Sequence, residues 1–239
     1  MKTKVSLLGI GAAKIELDKF NIYVDAFNEY NSPPSLNEND IILFTHDDKD
    51  HFLVESLIKT LKTDNIIIGP PSIVFPIWQS RKISKERIKV SYPKEYTDHE
   101  EYRFNDILIK VFNTEHFLNW HNTHISFLLE IDDKSIYFTG DSKIRKENEQ
   151  ELSGIHCIIY SLLQYEIVKD LINKKYGKYF HFCELLELKQ KLNPNLIICN
   201  HLINCDWAVN PQELNDFIVS QNLDFVKVPI SPYEEVVIE

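Results

Sequence analysis

The chain has 239 residues, with 26 basic and 36 acidic side chains and a net charge of −10. That length allows one α/β domain with a substantial core, and no Gly/Ser-rich or Pro-rich linker divides it, so a single domain over residues 1–239 is expected. The acidic balance argues against a general surface for nucleic-acid backbones or anionic membranes, both of which attract Lys and Arg, and makes long nucleic acid a poor partner.

Met1 to Gly11 holds only the short apolar run Val5 to Ile10, followed at once by Lys14, Glu16 and Asp18. No signal peptide or membrane span is readable there, so a cytoplasmic protein is expected. Lys4 to Leu8, Lys14 to Leu17 and Asn21 to Val24 read as short strands. The small residues Gly9-Ile10-Gly11-Ala12-Ala13 between the first two invite a dinucleotide-binding reading, but the third Gly is missing and a strand follows instead of a helix. They are expected to make a tight turn near the site. Asn31 to Ser35 is a loop. Asp40 to Thr45 is an apolar strand that stops abruptly at His46-Asp47-Asp48-Lys49-Asp50-His51.

Phe52 to Leu61 has helical spacing, and Asn65 to Ile68 is a buried strand halted by Gly69-Pro70-Pro71. Ile88 to Ser91, Glu101 to Phe104 and Ile107 to Phe112 follow as strands. Ser126 to Ile131 and Ser135 to Thr139 flank Asp132-Asp133-Lys134 as a hairpin. The charged stretch Lys143 to Glu151 reads as a solvated helix face. Cys157 to Tyr160 and Leu196 to Cys199 are strands, Tyr165 to Lys174, Phe182 to Leu192 and Pro211 to Val219 helices, and Val226 to Val228 a closing strand. Such an order suggests two packed sheets covered by helices. Phe75, Trp78, Tyr92, Tyr96 and Trp207 are expected in the core or a pocket wall. Cys157, Cys183, Cys199 and Cys205 form no CxxC pair and read as reduced, buried thiols.

Four polar clusters follow apolar strands: Thr45 to His51, Asn113 to His116, Thr139-Gly140-Asp141 and Asn200-His201. Ends of neighbouring strands converge in α/β proteins, so His and Asp from separate clusters can meet in one crevice as a metal-site composition. Their order resembles the metallo-β-lactamase superfamily, whose usual motif is His-x-His-x-Asp-His followed by a lone His, Asp and His, each after its own strand. The match is His46, Asp48, Asp50, His51, His116, Asp141 and His201. Leu8-Gly9 and Tyr23-Val24-Asp25 also resemble that family's first hairpin, which commonly ends in Asp.

The resemblance implies an αββα sandwich and a hydrolase with two divalent metal ions. His46, Asp48 and His116 would hold the first, Asp50, His51 and His201 the second, and Asp141 would bridge them, with a water between the metals as nucleophile. Asp50 would also orient that water. Asp48 stands where the family usually has His; a harder carboxylate there tilts the preference from zinc toward iron or manganese, and all three stay open. His121 and His124, close behind His116, are rival ligands or pocket residues. His181 resembles the helix-start His of phosphodiesterase-like branches, where it donates a proton or contacts phosphate; the plain alternative is a capping or partly buried His.

Thr123-His124-Ile125-Ser126-Phe127 with Ile136 to Asp141 is similar to L-ascorbate-6-phosphate lactonase-like hydrolases, implying phosphorylated, ester or lactone small molecules, or phosphodiesters, as substrates. Two other classes compete: a di-iron oxidoreductase related to the flavodiiron proteins, suggested by Asp48, and a binding module that keeps the fold without turnover.

Overall fold

The computed structural model describes residues 3–116, 123–162, 179–202 and 210–238, with side chains from 184 onward in the third segment. Two seven-stranded sheets face each other. In the first, β1 (Thr3–Leu7), β2 (Ala13–Glu16) and β3 (Asn21–Val24) form an antiparallel meander. The strands β4 (Ile41–Leu43), β5 (Ile66–Gly69) and β6 (Ile88–Val90) continue the sheet in parallel. Their crossovers are α1 (Val54–Thr60) and α2 (Pro71–Gln79). The second sheet repeats the plan. An antiparallel run of β7 (His99–Phe104), β8 (Ile107–Thr114), β9 (His124–Ile131) and β10 (Lys134–Phe138) leads to parallel β11 (Cys157–Ser161), β12 (Leu196–Asn200) and β13 (Val226–Lys227). The helix α3 (Tyr179–Leu192) precedes β12, and α4 (Pro211–Ser220) precedes β13.

The alternation of side chains along each strand sorts them into layers. Ile41 and Leu43 of β4 point inward with Val5, Ile22 and Ile68, against Ile109, Val111, Phe127, Phe138 and Ile159 of the other sheet. Ile42 and Phe44 point outward and pack with Leu57, Ile73 and Ile77 of the two helices. On the far side Tyr137, Ile158 and Ile197 meet Leu185, Leu188, Leu214 and Ile218. Central strands with both faces covered must be apolar throughout, which is why β4 and β12 read as unbroken hydrophobic runs. Each fully buried Ile, Leu or Phe contributes about 1.5–3 kcal/mol. The result is the expected αββα sandwich. No helix among the described residues is long and apolar enough to cross a membrane.

Three expectations are corrected. Gly69-Pro70-Pro71 does end β5, but Pro71 also opens α2, because a first-turn position needs no N–H donor. Val226 to Val228 does not close the fold. The strand β14 (Glu235–Ile238) crosses back to pair antiparallel with β1, with Thr3 opposite Ile238. Lys143 to Glu151 forms only a short 3₁₀ turn at Lys146–Asn148, with Asn148 buried. The helix expected at Tyr165 to Lys174 lies outside the described residues.

Candidate metal centre

The polar clusters sit at one rim of the sandwich, each at the end of a strand whose hydrophobic face anchors it. Among the described residues, ligand atoms of Asp50, His51, Asp141 and His201 lie within 4.8 Å of one another, as do those of His46, His116 and Asp141. Asp141 therefore belongs to both groups. Its Oδ2 lies 3.2 Å from His51 Nε2 and 3.6 Å from His201 Nε2. Asp50 Oδ2 is 3.3 Å from His201 Nε2. The short side chain of Asp48 reaches the first group, with Oδ2 3.4 Å from His46 Nε2 and 3.5 Å from His116 Nε2. All seven residues matched in the sequence thus meet at this rim. His181 lies on α3 with its side chain outside the described residues, and His121 is outside them altogether.

A second ring of hydrogen bonds sets which imidazole nitrogens face the centre. Asp25, fully buried at the end of β3, accepts from Thr45 N–H at 2.8 Å and from Thr45 Oγ1 at 2.6 Å. Its Oδ2 also lies 2.8 Å from His51 Nδ1. A carboxylate only accepts, so His51 donates from Nδ1 and turns Nε2 toward the centre. Thr45 has given its one hydroxyl proton to Asp25, so at 2.8 Å it must accept from His46 Nδ1, which turns His46 Nε2 toward the centre as well. One carboxylate thereby fixes two imidazoles. Asp25 appeared in the sequence as part of the first hairpin, but not as a site residue. The signal was there: a lone Asp directly after an apolar strand.

His124 resolves differently. The Asp141 backbone N–H donates to His124 Nε2 at 3.1 Å, and His124 Nδ1 lies 2.6 Å from Thr114 Oγ1. With Nε2 engaged as an acceptor, His124 positions Asp141, so the ligand reading stays with His116. Gly140 between these residues has φ +55°, and a Cβ there would come within 2.8 Å of Thr45 Cγ2 and 3.0 Å of His124 Cε1. Gly11, at φ +63°, lies against His51, where a Cβ would be 2.5 Å from the ring. The small residues between β1 and β2 do form a tight turn beside the site, as expected. Asp25 and His201 also adopt left-handed backbone, at φ +50° and +65°, a strain of about 1–3 kcal/mol each that functional sites often hold.

The electrostatics favour a cation. Asp25, Asp48, Asp50 and Asp141 crowd this rim, while among the described residues no Lys or Arg is buried. Burial opposes a charge on His51, yet Asp141 and Asp25 outweigh it and hold its pKa well above the ordinary value. Burial likewise opposes ionisation of Asp141, and His51 and His201 reverse this, holding it well below the carboxylate range. The buried Asp141 Oδ1 carries no hydrogen bond among the described residues. Imidazole nitrogens turned toward carboxylates are a donor set that fits divalent metal ions, with mixed N and O character that suits zinc, manganese or iron. Asp141 and Asp25 favour a second proton on His51, at the Nε2 beside Asp141, and a metal ion bound at that nitrogen must displace it. Metal uptake by the apo protein should therefore release protons and tighten as pH rises. Titration calorimetry in buffers of different ionisation heat measures this; uptake without proton release would contradict it.

Residues 21–195 match the family model described as the beta-lactamase superfamily domain. The chain belongs to the beta-lactamase superfamily. Solved structures agree along nearly their whole length with this superfamily chain. Igni18, a metallo hydrolase from Ignicoccus hospitalis, is 17% identical with a TM-score of 0.70, covering 100% of this chain and 99% of its own. A possible metal-dependent hydrolase from Veillonella parvula is 15% identical with a TM-score of 0.71, covering 99% of each chain. An isothiocyanate hydrolase from Delia radicum gut bacteria is 17% identical with a TM-score of 0.68, covering 98% of each. At these identities the likeness establishes the shared metallo-β-lactamase fold. No curated protein sequence matches.

Beside the centre of this superfamily member lies an open cleft of about 440 Å³, lined by Glu115, His116 and the segment Lys143 to Glu147. Arg145 stacks over Tyr96 at 3.4 Å and reaches Glu115 Oε2 at 3.1 Å. The Lys143 to Glu151 stretch is thus partly cleft wall, where a solvated helix face was expected. Of the aromatics expected in the core or a pocket wall, Phe75 and Trp78 are about half exposed, Tyr96 packs against the cleft-wall residue Arg145, and Tyr92 packs on the core. Cys157 and Cys199 are buried free thiols; Trp207, Cys205 and the Cys183 side chain lie outside the described residues.

Proposed function

We propose that this chain is a metal-dependent hydrolase of a small phosphoester, phosphodiester, ester or lactone, of the lactonase-like kind, formed as one domain. The observation that carries the reading is the convergence of seven His and Asp residues from separate strand ends into two groups sharing Asp141. His46, Asp48 and His116 would hold one divalent ion, Asp50, His51 and His201 the other, and Asp141 both. Bound there, such ions supply Lewis acidity, acidifying a water and polarising the attacked oxygen.

The chain's own groups do the rest. Asp25 and Thr45 hold the Nδ1 side of two imidazoles and turn their Nε2 toward the centre. Burial opposes ionisation of Asp50, but His201 and His51 keep its pKa lowered, so at neutral pH it is an ionised acceptor that orients an attacking water, whose proton passes to solvent. The leaving group takes a proton from His181 or from solvent. The cleft beside His116 receives the substrate, with Lys143 and Arg145 at its wall.

Elemental analysis of protein purified without added metal, combined with a phosphoesterase and esterase screen on the same preparation, tests this. Two zinc or manganese ions per chain and turnover on the panel are expected. Iron with a visible absorption band and oxygen uptake would favour redox chemistry, and tight metal with no turnover a binding module. Asp50→Ala should abolish turnover with the circular dichroism unchanged; wild-type rates in that variant would remove Asp50 from the mechanism.

A further inference from the structure

Two buried polar side chains near the centre have no task in this scheme. Ser161 ends β11 and Asn200 ends β12, and the parallel register sets them side by side, about 4.8 Å apart strand to strand. Strand alternation gives their direction. On β12, Ile197 and Cys199 face the helices and Ile198 faces the opposite sheet, which places Asn200 on the inward side. On β11, Tyr160 faces the helices and Ile159 faces inward, which places Ser161 inward too. The strand β11 lies between β10 and β12, whose ends lead to Asp141 and His201. The pair therefore lies at the strand ends that lead to His201 and beside the one that leads to Asp141. Asn200 is 1% exposed and Ser161 8%. Yet Asn200 Nδ2 and Oδ1 and Ser161 Oγ make no hydrogen bond among the described residues. Buried polar groups are nearly always satisfied, and leaving them bare lowers stability, so such groups at a site ask for a ligand.

We propose that Ser161 and Asn200 form a subsite for an uncharged polar group of the substrate, a hydroxyl or carboxamide next to the scissile bond. The inference rests on the hydrolytic reading and narrows its substrate class. A carboxamide and a hydroxyl each donate and accept, matching a group that does both. Neither carries charge, so the pair offers an anion no counter-charge of its own. A phosphate or carboxylate away from the scissile bond belongs instead toward Lys143 and Arg145 on the cleft wall.

The probes are γ-butyrolactone and α-hydroxy-γ-butyrolactone, which differ by one hydroxyl beside the carbonyl. Binding to the metal-loaded protein is measured by ligand-observed NMR. The wild type should bind the hydroxylactone about ten-fold more tightly, the worth of one good hydrogen bond. The Ser161→Ala/Asn200→Leu variant should lose that difference, while its melting temperature holds or rises because unsatisfied buried polar groups have been replaced by apolar ones. Equal affinities in the wild type, no binding of either lactone, a difference that survives in the variant, or a lowered melting temperature each overturn the proposal. Metal content of the same samples reports separately on the metal reading.

Discussion

Asp141→Asn should lower kcat/KM by about three orders of magnitude and reduce bound metal to one ion or fewer per chain. Asp141 is the residue common to both donor groups, and its carboxylate stays ionised against the cost of burial because His51 and His201 face it. An amide in its place removes the charge and turns an N–H₂ toward wherever cations would sit. A loss of about 4 kcal/mol in stabilising developing charge corresponds to about a thousand-fold in rate. The fold should survive, because the backbone N–H of residue 141 still donates to His124 and the packing below is unchanged. Kinetics on the best substrate from the panel, with elemental analysis of the same sample, decide the matter. Wild-type turnover with two ions bound would remove Asp141 from the centre.

Asp25→Asn should weaken metal binding and activity by about 10–100-fold without any proposed ligand being touched. Every neighbour of Asp25 is a donor: Thr45 N–H, Thr45 Oγ1–H and His51 Nδ1–H. An Asn must set its N–H₂ against one side of that ring. It cannot face the backbone N–H of Thr45, so it faces His51 and the Thr45 hydroxyl. His51 Nδ1 then has to accept, and its proton moves to Nε2, the atom 3.2 Å from Asp141. The Thr45 hydroxyl turns as well, which frees His46 Nδ1 from its partner. A competition titration against a coloured chelator measures the affinity, and nitrogen-15 spectra of the imidazoles report the tautomers. Unaltered affinity with His51 protonated at Nε2 would show that the tautomer does not matter.

Much of the centre could be read in the chain because its residues are chemically foreign to their surroundings. An Asp or His at the end of IILF, ILIKVF, SIYF or LIIC has no packing reason to be there. The choice between His116 and His124 was not readable, since both follow the same strand within a few residues. What separates them is that Asp141, 17 residues further on, folds back to occupy His124 Nε2. The helix α2 was hidden because Pro71 is a terminator in one register and an initiator in the next. The strand β14 was hidden because only Val236 and Ile238 of its four residues are buried, and a pair of apolar residues becomes a strand only when β1 lies beside it. Ser161 and Asn200 look like ordinary strand ends until their missing hydrogen bonds are seen.

The pairing of β14 with β1 puts Thr3 opposite Ile238, residues 235 positions apart in the sequence. Such a long closure makes the edge of the first sheet among the last contacts to gain by folding, since the entropy of drawing the two ends together must be met first. During synthesis, the hydrogen-bonding edge of β1 waits unpaired while some two hundred residues emerge, and an exposed edge can be taken by a foreign strand.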